Sequence, residues 1–219
     1  LFRSLQKIQK KKFKIRGVDI INIEEFDNEI IKLSKDKNIF LDKMAPYNFY
    51  DLMLQNNLKP DLIDDPCKNL KSKKNKAEIK ASKAAHIEDG LSLVKFFCWL
   101  TKQKFNSKFT EYLVAKKLED YRKNSKLFFS LSFPTISASG PNGSIIHYQP
   151  EKKSRTLRSG DLYLCDSGGQ YIGATTDVTR TIFLGTSPPN KEFIVNYTRV
   201  LLGHINLAMT RFPVGTYGF

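Results

Sequence analysis

Asp166-Ser167-Gly168-Gly169-Gln170-Tyr171-Ile172-Gly173-Ala174-Thr175-Thr176-Asp177 is the most informative stretch of this 219-residue chain. β-forming residues flank a Gly-Gly pair, so the segment is expected to form a β-hairpin that turns at Gly168-Gly169 and returns through Gln170-Tyr171-Ile172, with an aspartate on each arm. Carboxylates fixed on paired strands are held far better than carboxylates on a loop. Two hard oxygen donors aimed at one point suit a pair of divalent metal ions of the kind that activates water for hydrolysis. Asp166 follows the apolar run Leu162-Tyr163-Leu164-Cys165 and is expected to be partly buried, where an ionised carboxylate needs a partner. A metal is one such partner. Hydroxyls of Ser167, Thr175, Thr176 and Thr179, or Arg180 acting as a salt-bridge anchor under the hairpin, are the structural alternative, and spacing alone leaves both open.

Outward from this stretch the pattern is strand-like. Asp161–Asp166 reads as one strand and Thr179–Leu184 as the next, while Gly140-Pro141-Asn142-Gly143 is a turn signal ahead of a strand at Ser144–Tyr148. The period changes to helical before Leu127 and again after Pro188-Pro189. Helices are expected over Lys76–Thr101, from Thr110 as N-cap to about Asn124, and over Glu192–Arg211, where Phe212-Pro213 ends the run. Gly90 falls on the apolar face of the first of these and suggests close packing there. Residues 1 to about 70 read as a small α/β piece. Its expected elements are helices at Leu1–Lys12, Asn22–Ser34 and Ala45–Gln55, and strands at Phe13–Ile15, Asn38–Asp42 and Leu62-Ile63. Asp64-Asp65-Pro66 reads as a break, and the lysine-rich run 68–76 as a linker.

Composition bounds the rest. With 41% apolar and 12% aromatic residues the chain can bury a sizeable core. No apolar run is long enough to cross a membrane, the N-terminal residues carry no secretory signal, and the missing initiator Met suggests a trimmed segment. The three cysteines make neither a metal-ligand pattern nor a disulfide framework, which favours a reducing, cytoplasmic compartment. Cys165 reads as a small core residue. The net charge is +14, but residues 1–127 hold 28 of the basic and 17 of the acidic side chains. The excess sits in lysine runs with little aromatic interleaving, a solvated surface and not a nucleic-acid platform.

Asp-Ser-Gly-Gly-Gln-Tyr (166–171) followed by Thr-Thr-Asp-Val-Thr-Arg-Thr (175–181) resembles the signature hairpin of the X-prolyl aminopeptidases (aminopeptidase P), metallopeptidases of the pita-bread fold. The likeness continues in family order. It takes in Lys74–Ile79 with Ala85–Gly90, Thr110-Glu111, Ser132–Ile136, Gly140–Tyr148, Phe183-Leu184-Gly185, Gly203-His204-Ile205 and Phe212–Gly218. It implies an α/β (α+β) fold in which residues 73–219 form the N-terminal half of a pita-bread catalytic domain. Residues 1–72 would be the C-terminal part of a creatinase-like domain.

By this resemblance Asp166 chelates one metal and Asp177 bridges two, usually manganese, with zinc or cobalt as alternatives. A metal-activated hydroxide would hydrolyse the N-terminal Xaa-Pro bond of a peptide substrate. His147 matches the substrate-side histidine, a sensible hydrogen-bond donor to a developing oxyanion. A homodimer is implied, with no nucleic-acid or membrane partner. His86 and His204 match no ligand position and read as core or interface residues. Ala174 stands where the family has Gly. The family's later His and two Glu ligands lie beyond Phe219, so residues 1–219 alone are expected to be inactive. A prolidase-type dipeptidase on the same fold, or an inactive scaffold that binds peptide or nucleic acid, are the other readings.

Overall fold

The structure is a computed structural model and describes residues 2–3, 16–35, 37–105 and 109–218. The chain divides into two compact units after Lys74.

The first unit is small. Strand β1 (Phe2–Arg3) pairs in parallel with β2 (Ile21–Asn22), so the expected N-terminal helix is not formed at Phe2–Arg3. The rest of that helix, and the strand expected at Phe13–Ile15, lie outside the described residues. A 3-10 turn (Ile23–Glu25) leads into α1 (Phe26–Ser34). Strand β3 (Phe40–Asp42), α2 (Tyr47–Gln55) and β4 (Asp61–Ile63) follow, with β3 and β4 parallel, Phe40 opposite Asp61. Phe26 of α1 meets Phe49 of α2 with ring centroids 5.2 Å apart, and Met53 is buried. The lysine run is not an extended linker. Helix α3 (Pro66–Ser72) occupies most of it, because Pro66 takes the first helical turn and the Asp65 carboxylate accepts from the Cys67 amide at 2.8 Å.

The second unit begins with a capping box. Asn75 Oδ1 accepts from the Glu78 amide at 2.9 Å, and Glu78 accepts from the Asn75 amide at 2.7 Å, which starts α4 (Lys76–Leu100). Thr110 caps α5 (Glu111–Lys123) as expected. The face that α4 buries carries Ala85, Asp89, Leu93, Phe96 and Leu100 at helical spacing. Gly90 is not a point of close approach, since a Cβ built there meets nothing within 4 Å. His86 is exposed, its Nδ1 against the Ser82 carbonyl at 2.8 Å, and His204 is exposed as well. Neither histidine is a core residue.

Strand β5 (Phe128–Leu131), β6 (Ile136–Ser139), β7 (Leu162–Ser167), β8 (Gly169–Tyr171), β9 (Ala174–Thr175) and β10 (Val178–Phe183) form two three-stranded antiparallel sheets, ordered β10-β7-β6 and β5-β8-β9. Side chains of β7 alternate. Tyr163, Cys165 and Ser167 face the core with Leu93, Phe96, Leu100, Val114, Leu118, Leu157 and Leu184, whereas Leu162, Leu164 and Asp166 are half-buried on the other face. Burial pushes the Cys165 thiol up to about 11, in keeping with an inert packing role. Helix α6 (Lys191–Met209), capped by Asn190, closes the described chain.

The core also encloses an ion pair. Arg122 Nε donates to Asp89 Oδ1 at 2.6 Å, and both side chains are essentially inaccessible. Arg122 Nη2 reaches the Ser167 hydroxyl at 3.1 Å, and the Tyr171 hydroxyl donates to Asp89 at 2.8 Å. Burial and the hydrogen bond to Asp89 push the Tyr171 phenol up, so it stays a donor. Removing one member of such a pair strands the other charge. Arg122→Ala is therefore expected to cost about 3–5 kcal/mol in denaturant unfolding of the protein.

Candidate metal centre

Asp166 sits near the end of the central strand β7, between Ile136 of β6 and Thr179 of β10. Asp177 precedes β10 and lies two residues before Thr179. Because side chains alternate along a strand, the register carried back from Thr179 assigns both carboxylates to one face of the β7/β10 ribbon. They are thus on opposite arms, as expected. The turn is elsewhere. Gly168-Gly169 does not reverse the chain, which continues into β8 and turns at Ile172-Gly173, with Tyr171 opposite Ala174. Gly173 supplies the left-handed conformation at φ +87°, so Ala174 needs none. Gly168 serves close approach instead, for a side chain there would run into the Thr176 carbonyl and the Ser132 hydroxyl. Ser132 Oγ donates to that carbonyl at 3.0 Å, and Gly169 N–H donates to Thr176 Oγ1 at 2.9 Å, which draws the segment leading to Asp177 onto the strand that follows Asp166.

Asp166 Oδ1 is buried and has no hydrogen-bond partner. A buried acceptor left this way costs about 1–3 kcal/mol. Of the hydroxyls that could have capped it, three are engaged elsewhere, and Thr179 makes no bond to Oδ1. Ser167 binds Arg122, Thr175 donates to Gln170 at 2.6 Å, and Thr176 serves Gly169. Arg180 is exposed and donates to the Thr179 carbonyl at 2.7 Å, so the anchor under the hairpin is Arg122 and not Arg180. An unpartnered carboxylate oxygen beside a second, exposed aspartate fits a hard cation as its missing partner. Among the described residues no group of three or more His, Cys, Asp or Glu side chains converges to hold a metal ion.

His147 is exposed and makes no hydrogen bond among the described residues. It does not lie on a strand. Residues Gly140–Ser144 form a 3-10 turn and the chain bends on through Tyr148, with His147 at φ +55°. Pro141 and the Gly140/Gly143 pair favour that turn over the extended run that Ile145-Ile146 suggests. A Cβ built on Gly143 would meet Leu164 Cβ at 4.0 Å, and Leu164 shares its β7 face with Asp166. The turn therefore lies on the carboxylate side of the sheet.

Two buried charged residues are given no role in the reading of the sequence, which names Glu111 only within the Thr110-Glu111 match. Glu111 and Arg122 both lie on the buried face of α5, with Val114 and Leu118 between them, at intervals of three, seven and eleven residues. A charge in register with an apolar stripe is the signal that marks them.

The sequence profile of metallopeptidase family M24 matches residues 80–218. The chain belongs to metallopeptidase family M24. A "Probable Xaa-Pro aminopeptidase P" of Laccaria bicolor is 40% identical over 191 residues, which is 86% of this chain and 29% of that protein. "Xaa-Pro aminopeptidase 1" of Dictyostelium discoideum is 39% identical over 181 residues, 81% of this chain and 28% of that one. The X-prolyl aminopeptidase of Caenorhabditis elegans, described as a cytosolic enzyme with a di-nuclear active site, superposes with a TM-score of 0.81 at 34% identity. That match covers 92% of this chain and 34% of that one. The chain thus spans about a third or less of the length of these M24 relatives. The mixed α/β architecture is that of the pita-bread M24 fold.

The fit to a cation is open to a test that needs no turnover. In the full-length protein freed of metal, Asp166→Asn is expected to leave unfolding stability within about 0.5 kcal/mol. The wild type should gain about 2.7 kcal/mol at a metal concentration one hundred times Kd, and Asp166→Asn should lose that gain. A metal-free Asp166→Asn protein as unstable as Arg122→Ala would instead make Asp166 a structural group.

Proposed function

We propose that these residues are part of a metal-dependent X-prolyl aminopeptidase, which hydrolyses the bond between the N-terminal residue of a peptide and a proline in second position. The observation that carries the reading is the buried, unpartnered Oδ1 of Asp166. A scaffold without catalysis has no reason to bear the cost of that oxygen. In this reading Asp166 and the exposed Asp177 would be the residues of this chain that hold the divalent ions. The ions, manganese with zinc or cobalt as alternatives, supply activated water when bound. Two carboxylates fall short of the six or so donors a hard cation takes. The remaining His and Glu ligands are assigned to sequence outside residues 1–219.

The chain's own residues do the rest of the work. β6 and β10 hold Asp166 from both sides. His147 has no hydrogen bond on either ring nitrogen among the described residues and follows the turn on the carboxylate side; in this reading its ring N–H would donate to the oxygen on which charge develops. The first unit is assigned to the end of a creatinase-like domain, the second to the first half of the catalytic domain. By analogy with the Caenorhabditis elegans enzyme, described as cytosolic, the complete enzyme is assigned to the cytoplasm, and the family resemblance of the sequence implies a homodimer acting on peptides. The test is release of the first residue from an Arg-Pro-Pro-type tripeptide by the full-length protein with added manganese. Asp177→Ala should reduce turnover by at least about a thousandfold, and undiminished turnover would overturn the reading.

A further inference from the structure

Glu111 is a fully buried carboxylate with more donors than any other acid among the described residues. Its Oε1 accepts from the Ser139 amide at 2.6 Å, the Ser139 hydroxyl at 2.9 Å and the Asn142 amide at 3.2 Å. Its Oε2 accepts from the Tyr148 hydroxyl at 2.7 Å and from Asn142 at 3.0 Å. Asn142 also donates to the Tyr148 oxygen at 3.0 Å. The carboxylate stands at the first position of α5, where the helix N-terminus favours negative charge.

Every one of these donors belongs to the segment that carries His147. Ser139 ends β6, Asn142 is in the 3-10 turn and Tyr148 follows His147 directly. His147 itself is held by no hydrogen bond among the described residues and adopts a left-handed conformation at φ +55°. Such a conformation in a non-glycine residue costs about 1–3 kcal/mol and persists only where the surroundings impose it. Locally, His147 is the third residue of a turn closed by the Tyr148 N–H, which donates to the Ile145 carbonyl at 3.3 Å, and the residue that closes the turn is the one Glu111 anchors. On the opposite side of the turn, Gly140 (φ +55°) rests against the Arg155–Asp161 ion pair, which is 2.7 Å long. The segment is thus clamped at its start and directly after the histidine, at the residue that closes the turn over it.

We propose that Glu111 is a positioning residue: through Tyr148 and Asn142 it imposes the backbone conformation that aims His147 over the carboxylate face. The proposal deepens the aminopeptidase reading and rests on it for the role of His147. Burial first, and then the bond to Glu111, push the Tyr148 phenol up to about 12, so the clamp keeps its proton throughout the working range.

The test uses the full-length protein and three variants, Tyr148→Phe, Glu111→Gln and His147→Ala. Deuterium uptake in a peptide spanning 140–150 should rise at least about tenfold in rate in Tyr148→Phe, with β7 and β10 unchanged and bound metal equal to wild type. Turnover should fall by about tenfold to a hundredfold, mainly in kcat, as expected for a misplaced group. In a His147→Ala background the same substitution should have no further effect. Glu111→Gln should behave alike where it folds; Tyr148→Phe leaves the carboxylate and its other donors in place and carries the test alone if it does not. Unchanged exchange of 140–150 in Tyr148→Phe would overturn the clamp. Effects that multiply with His147→Ala would show that Glu111 acts elsewhere. A wild type with no turnover would overturn the aminopeptidase reading, and the exchange result would still decide whether Glu111 and Tyr148 set the segment.

Discussion

The buried pair of Asp89 and Arg122 is the constraint on which the rest of the second unit depends. It joins the two helices to both sheets. Asp89 comes from α4, Arg122 from α5, Ser167 from the end of β7 and Tyr171 from the end of β8. Apolar packing is non-directional and would tolerate a strand sliding by two residues. A guanidinium that must meet a carboxylate and a hydroxyl at fixed angles does not. Ser167 follows Asp166 in the chain, so the bond to Arg122 fixes the β7 end on the core face. Asp166 is thereby presented on the other face. The cost is visible in Arg122 Nη1, which has no hydrogen-bond partner.

Two buried acids and the half-buried Asp166 differ in how their carboxylates are met. Asp89 is neutralised by a cation, and Glu111 by uncharged donors at a helix start. Asp166 has one oxygen with neither. The contrast is informative because the same unit builds complete networks a few residues away. Ser137, Ser139 and Ser167, all fully buried, are all hydrogen-bonded. Among the described residues four buried side-chain atoms lack a partner, Arg122 Nη1, Thr135 Oγ1, Arg155 Nε and Asp166 Oδ1, and of these only the last is a carboxylate oxygen.

Much of this was legible in residue order. Asn75 with Glu78 three positions on, Thr110 ahead of an amphipathic run, and Asn190 after two prolines mark helix starts through local hydrogen bonds that need no tertiary context. The strands around Asp166 follow from apolar alternation in Leu162–Cys165. The exact turn was not legible, because Gly168 and Gly173 carry glycine for different reasons: the one to let a carbonyl approach, the other to reach positive φ. Only three-dimensional neighbours distinguish them. Ile145-Ile146 read as strand for a similar reason. Their β propensity is real, but the clamp on Ser139, Asn142 and Tyr148 overrides it and leaves both exposed.

The two faces of β7 are unequal, and the inequality bears on what supports the carboxylates. The core face is closed by α4 and α5. The other face holds Leu162, Leu164 and Asp166 half-buried, and Phe193, Ile194, Tyr197 and Thr198 of α6 share a cleft with Leu162, Thr181 and Phe183. Val200, Leu207 and Met209 of α6 are 67–75% exposed. A helix with so little buried apolar surface contributes little to holding the sheet. The rigidity of Asp166 must therefore come from behind, through hydrogen bonds to β6 and β10 and the Arg122 strut. Within the described residues, the groups that fix Asp166 therefore come from β6, β10 and Arg122 and not from α6.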